Sequence, residues 1–99
     1  MVSYRFTRSA PEDLVDIWLY TEAAWGEAQA DRYQDAIHEC REKIAAGATH
    51  TKPVPELNGV RSHHCQRHRL FFAVQDQGVV IIAVLHERMD PIKRLRGRL

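Results

Sequence analysis

Apolar and polar positions set out the elements before any composition is counted. Tyr4 and Phe6 alternate with Arg5 and Thr7, a period of two that predicts a short strand over residues 2–8. Ser9-Ala10-Pro11-Glu12 follows, and its spacing fits a capping box, with Pro11 tolerated in the first turn. Leu14, Ile17, Trp18, Thr21 and Ala24 then fall at helical spacing and predict a helix from Ala10 to Ala24. Gly26 breaks that pattern. A second helix is expected from Glu27 to Ala46, with Ala30, Tyr33, Ile37, Cys40 and Ile44 on its apolar face and Gly47 as its stop. Glu27, Asp31, Asp35 and Glu39 step by four along another, solvated face of it. The Pro53, Pro55 and Asn58-Gly59 signals make residues 48–59 a loop. Three strands follow: Val60–Cys65, a turn near Gln66-Arg67, Arg69–Val74, the turn Asp76-Gln77-Gly78, and Val79–Leu85.

The order strand, helix, helix, strand, strand, strand makes this an α+β chain, with both helices on one sheet face. Residues 1–99 read as a single domain. A sheet covered on one side alternates apolar with polar, and the last hairpin does not. Leu70, Phe72 and Val74 oppose Phe71 and Ala73; Val79, Ile81, Ala83 and Leu85 oppose Val80, Ile82 and Val84. Two helices cover one face only. Burying the other is worth roughly 1.5–3 kcal/mol per large side chain, so a cover is expected: the C-terminal tail, a second copy, or a different protein. A protein partner is the favoured reading.

Hydrophobic residues are 44% and charged residues 27%, values of a folded and not a disordered chain. The longest apolar run, Val79–Leu85, is far short of the roughly 20 residues that span a bilayer. The N-terminus has no apolar signal core. The two cysteines cannot build a disulfide framework, so a reducing cytoplasm is the expected home, with Cys40 in the core. The net charge of +1 hides an asymmetry: residues 1–58 carry six Lys/Arg against ten Asp/Glu, and residues 59–99 carry eight against three. Such a split suits a partner that sees one face, and plain surface solvation produces it equally well.

The six histidines invite a metal reading, but His64 and His68 flank a predicted turn and Cys65 points away from His64 on a strand, so no metal or other cofactor is expected. No nucleophile elbow, phosphate loop or dinucleotide fingerprint is present. The best polar constellation is Leu85-His86-Glu87-Arg88-Met89-Asp90-Pro91, at the end of the most apolar strand. His86 is a proton donor candidate near neutral pH, and Arg88 an anion binder. Arg61, His64 and Arg69, on neighbouring strands, are expected to converge on it. The alternative is an ion-pair cluster of Glu87 and Asp90 with Arg88 that ends the strand.

Several pieces resemble, in order, the ParE branch of the RelE/ParE toxins. They are Tyr4-Arg5-Phe6, Ser9-Ala10, Asp13-Leu14, Ile17-Trp18, Tyr20, Trp25-Gly26, Ala28 and Ala30, Gly59-Val60-Arg61, and Val84-Leu85-His86-Glu87-Arg88-Met89-Asp90. The resemblance implies a RelE/ParE-like fold, a strand, a helical hairpin and a three-stranded antiparallel meander. It implies the toxin half of a type II toxin–antitoxin module, neutralised by a ParD-like ribbon-helix-helix antitoxin that wraps the toxin, with DNA contact only through that complex. It further implies DNA gyrase as the target, blocked by binding without chemistry. Antitoxin contacts are expected at Arg61, Arg69, Phe71, Ala73, Val80, Ile82 and Arg88. The alternative activity is ribosome-dependent mRNA cleavage of the RelE and YoeB kind, with His86, Arg88, Arg61 and His64 as the catalytic candidates. His86 can be laid on the family histidine. No aromatic residue follows it, which departs from the nuclease pattern.

Overall fold

A computed structural model describes residues 4–76 and 78–98; the expected strand residues Val2 and Ser3, the turn residue Gln77 and the tail residue Leu99 lie outside them. The chain starts with β1 (Tyr4–Phe6) and runs into α1 (Ala10–Trp25). The expected capping box does not form: Ser9 sits in helical backbone geometry (φ −90°, ψ −18°) and its side chain makes no capping bond. The turn into α1 is closed by the backbone, Ala10 N–H to the Thr7 carbonyl at 3.3 Å. One residue, Gly26, ends α1 and opens α2 (Glu27–Ala45). Its N–H donates to Glu22 O at 2.8 Å and its carbonyl accepts from Ala30 N at 3.1 Å. Its φ of 92° is a region where a side chain is strained. Side chains then lock the hairpin: Trp18 Nε1 donates to Asp31 Oδ1 at 3.0 Å and Gln34 Nε2 to the Leu14 carbonyl at 2.8 Å.

The remaining elements are β2 (Lys52–Pro53), β3 (Arg61–Cys65), β4 (His68–Gln75), β5 (Gly78–His86) and α3 (Pro91–Leu95). They build a five-stranded sheet in the order β1-β5-β4-β3-β2, with β1 parallel to β5 and the other pairs antiparallel. Two elements were not legible in the sequence. The short strand β2 falls in a segment expected to be loop; Pro53 is tolerated because β2 is an edge strand. The helix α3 falls in the basic tail, started by Pro91 and capped by Asp90, whose Oδ1 accepts from Ile92 N at 3.1 Å and Lys93 N at 3.4 Å. The β3–β4 turn, which has no Gly, is made by Gln66 at φ 58°.

Strict alternation along β5 also fails. The register slips between Phe71, opposite Ala83, and Phe72, opposite Ile81, so Ile82 is an extra residue. That bulge lets Ile82 and Ala83 both join the rear cluster while Ile81 and Val84 face the helices. The helix-side core consists of Ile17, Ile37, Ile44, Leu70, Phe72, Ile81 and Val84, with Tyr33 and Leu14 at its rim.

The rear face is not open, and this overturns the expected need for an external cover. The segment Val54–Val60 and helix α3 close it: Val54, Leu57, Val60 and Leu95 pack with Phe71, Ile82, Ala83 and Leu85 in a second core. Phe71 is 1% exposed, Ile82 4% and Val80 7%. Burying Leu95, Phe71, Ile82 and Leu85 contributes roughly 1.5–3 kcal/mol each, which is reason enough for the tail to fold back.

The cysteines differ from expectation as well. Cys40 and Cys65 are joined in a disulfide with their Cα atoms 6.4 Å apart. Cys40 is half-buried at the rim of the helix-side core. Cys65, opposite His68, falls on the sheet face turned to the helices. Helical spacing on α2 and alternation on β3 therefore aim the two sulfurs at each other.

Candidate functional site

The back of the sheet carries a depression of about 680 Å³ between β2, β3, β4 and the residues after β5. His50, Lys52, His63, His64, Arg69 and Arg88 line it, against one carboxylate, Glu87. Strand alternation explains the grouping: His64 pairs with Arg69 across β3 and β4, so both project to the same side. His64 Nε2 contacts Glu87 Oε2 at 2.9 Å. Arg69 lies over the Phe71 ring at 5.0 Å and reaches Ser62 Oγ at 3.4 Å. Lys52 and His50 arrive with the unexpected strand β2, and His63 is held by its Nδ1 on the His50 carbonyl at 2.8 Å. An excess of cationic and protonatable groups in one hollow suits an anionic partner group, a carboxylate or a phosphate.

The candidates named from the sequence divide. His64, Arg69 and Arg88 come together in this hollow. His86 does not join them. It pairs with His68 on the helix side, ring centroids 5.3 Å apart. Arg61, opposite Phe72, is spent on Thr51, with Nε on Oγ1 at 2.9 Å and the terminal nitrogen on the carbonyl at 3.0 Å. The expected ion pairs of Glu87 and Asp90 with Arg88 are not formed, because His64 takes Glu87 and Asp90 caps α3. Of the apolar contacts expected for an antitoxin, Phe71, Val80 and Ile82 are buried in the chain's own packing and Ala73 is half-buried, so they do not form a free surface.

Sequence reasoning missed a second cluster, on the helix side. The Tyr33 oxygen accepts the Arg67 N–H at 3.1 Å, which leaves the hydroxyl proton for His68 Nδ1. This arrangement suits a neutral His68 that accepts at Nδ1. Burial, and then the neighbouring His86, push its pKa down to about 4. Burial raises the Tyr33 hydroxyl pKa. The helical spacing of Tyr33 marked it as core, and nothing local announced a polar task for it.

The helical hairpin presents a different surface. Val15 is 57% exposed, Leu19 53%, Tyr20 75% and Trp25 74%. Helix α1 carries Glu12, Asp13, Asp16 and Glu22 and no Lys or Arg. Large exposed apolar side chains set among acidic ones on one helix suit an apolar, basic counterpart.

Comparison with known proteins identifies the family. Residues 4–91 match the family described as ParE toxin of type II toxin-antitoxin system, parDE. A Toxin ParE of Escherichia coli is 36% identical over 101 residues, spanning 100% of this chain and 98% of its own length. Toxin ParE1 of Caulobacter vibrioides is 37% identical over 91 residues, spanning 91% and 94%. A solved chain titled "Chromosomal ParDE TA system from P. aeruginosa" superposes with a TM-score of 0.76 at 23% identity, over 87% of this chain and 96% of that one, a likeness of fold. A strand, a helical hairpin and a meander whose rear is sealed by its own tail, matched along nearly their whole length by such relatives, place this chain in the ParE toxin family of type II toxin–antitoxin systems.

Proposed function

We propose that this toxin acts by binding DNA gyrase and blocking replication, and that a ParD-like ribbon-helix-helix antitoxin neutralises it. Family membership supports the target class. The observation that carries binding over chemistry is the pairing of His64 with Glu87 at 2.9 Å. Cleavage of RNA by its own 2′-hydroxyl needs a base at the attacking oxygen and an acid at the leaving oxygen, on opposite sides of the phosphorus. A carboxylate and an imidazole bonded to each other do not stand on opposite sides of a phosphate. His86, the other acid candidate, sits on the far face of the sheet beside His68. The antitoxin reading uses two surfaces: acidic side chains on Arg69 and Arg88, and an apolar segment over Val15, Leu19 and Trp25 on the hairpin. Such a target puts the action in the cytoplasm.

The test is a supercoiling assay with purified gyrase. Loss of supercoiling on adding toxin, restored by the antitoxin, supports the proposal; unchanged gyrase activity at excess toxin overturns it. The second reading, ribosome-dependent mRNA cleavage, draws on a hollow that gathers a carboxylate, three imidazoles and two guanidinium groups. Intact ribosome-bound mRNA in the presence of toxin disposes of it.

A further inference from the structure

The chain has two cysteines, and the fold brings them together. Their surroundings are unequal. Cys65 is 2% exposed, whereas Cys40 is half-buried on a helix turn flanked by the exposed Glu39 and Lys43. The rest of the contact between α2 and the sheet does not depend on the bond. Ile37 and Ile44 pack on Leu70 and Phe72, and Tyr33 holds the β3–β4 turn through His68 and the Arg67 N–H. Opening the bond therefore leaves two thiols side by side in a folded chain. We infer that Cys40 and Cys65 form a reversible thiol–disulfide site, with Cys40 the sulfur reached by a small disulfide oxidant of the glutathione class and Cys65 the resolving sulfur.

The chemistry balances as ordinary exchange. The Cys40 thiolate attacks one sulfur of the oxidant, forms a mixed disulfide and expels one thiolate. The deprotonated Cys65 sulfur attacks the Cys40 sulfur and expels the second. Two electrons pass from the cysteine pair to the oxidant, and the two protons given up end on the two released thiols. A reducing cytoplasm keeps such pairs open, so the bond closes when the oxidant prevails. The consequence reaches the basic hollow. Cys65 directly follows His64, whose ring holds Glu87, and the Glu87 N–H donates to the Arg67 carbonyl in the same turn at 2.9 Å. Closing the bond staples that wall of the hollow to α2; opening it leaves Tyr33, and the Cys65 sulfur against the Ala36 carbonyl at 3.6 Å, as the polar ties to α2.

The full chain is equilibrated with excess glutathione disulfide or with dithiothreitol, and thiols are counted by alkylation and mass. The expected result is no free thiol in the oxidised sample, two in the reduced one, and full return on cycling. Oxidation raises the thermal midpoint by roughly 10 °C, and the same treatment leaves C40S/C65S unmoved. With one sulfur removed, C65S retains a glutathione adduct on Cys40 while C40S acquires none on Cys65. Two alkylatable thiols persisting in excess oxidant, an adduct on Cys65 and not on Cys40, or equal midpoints for the two states would overturn the inference.

Discussion

Arg98 folds back across 85 residues to grip Asp13 with both ends of its guanidinium, at 2.7 and 2.8 Å. The pair solves a problem that the short first strand creates. Strand β1 pairs with β5 only as far as Ile81, and Thr7 extends the edge through its hydroxyl on the Ile82 carbonyl at 3.0 Å. Beyond that, Asp13 Oδ2 accepts the Val84 N–H at 3.0 Å, and Arg98 donates to the Ile82 carbonyl at 3.3 Å. Side chains thus stand where a longer strand would have paired, and they tie the tail that carries α3 to α1. The bond to Asp13 raises the Arg98 pKa above its ordinary value.

Removing either partner strands the other, with Asp13 only 11% exposed. R98A is expected to lose about 2 kcal/mol of stability, and D13A about 1 kcal/mol more because Val84 N–H also loses its acceptor. Urea unfolding followed by tryptophan fluorescence measures both, and the D13A/R98A double variant should lose less than the sum. Additive losses would mean that the latch contributes nothing as a pair.

Phe71 and Leu95 meet in the rear core. F71A and L95A are each expected to cost about 3 kcal/mol of folding free energy. L95A should additionally increase binding of a hydrophobic dye, because α3 loses its one fully buried anchor. If F71A lowered affinity for the antitoxin without lowering the unfolding midpoint, Phe71 would be an interface residue after all.

Periodicity announced α1, α2, β4 and β5 because each buries a face long enough to repeat a pattern. Strand β2, two residues long, repeats nothing; its pairing with β3 is set by the register of Lys52 with Ser62, a tertiary fact. Helix α3 is one turn, and its start signal, Asp90-Pro91, reads equally well as the end of a strand. The doubly apolar hairpin correctly demanded a second cover, yet the tail that supplies it looked merely basic, since Ile92 and Leu95 are its only apolar residues up to Gly97. Of the site, His64, Arg69 and Arg88 were legible from alternation and position. His86 was misplaced because it closes β5 opposite His68, on the helix side, whereas Glu87 lies just beyond the strand and reaches the hollow.

Val15 and Leu19 are more than half exposed on an acidic helix. Substituting V15D or L19D changes little buried surface, so the fold should hold within about 0.5 kcal/mol. Affinity for the antitoxin should fall at least tenfold, about 1.4 kcal/mol, as read by calorimetric titration. Unchanged affinity with both substitutions present would remove the hairpin from the antitoxin interface, leaving the arginines of the hollow as the remaining contact.

The neutral His68 makes stability depend on pH in one direction. The unfolded chain takes up a proton near the ordinary histidine value of 6.5, whereas the folded chain resists it down to about 4. Between those values the unfolded state binds more protons, so stability is complete above pH 6.5 and declines as the pH falls toward 4. Tyr33, His86 and Glu87 face the ring, and of these Glu87 opposes the shift while His86 reinforces it. Because the ring is partly open to solvent, the loss is about 1–2 kcal/mol and not the full value of the shift. H68Q keeps an acceptor for the Tyr33 hydroxyl and removes the titration. Urea midpoints at pH 7.5 and 5.0 should therefore differ less in H68Q than in the wild type. Equal differences would assign the acid sensitivity to another group.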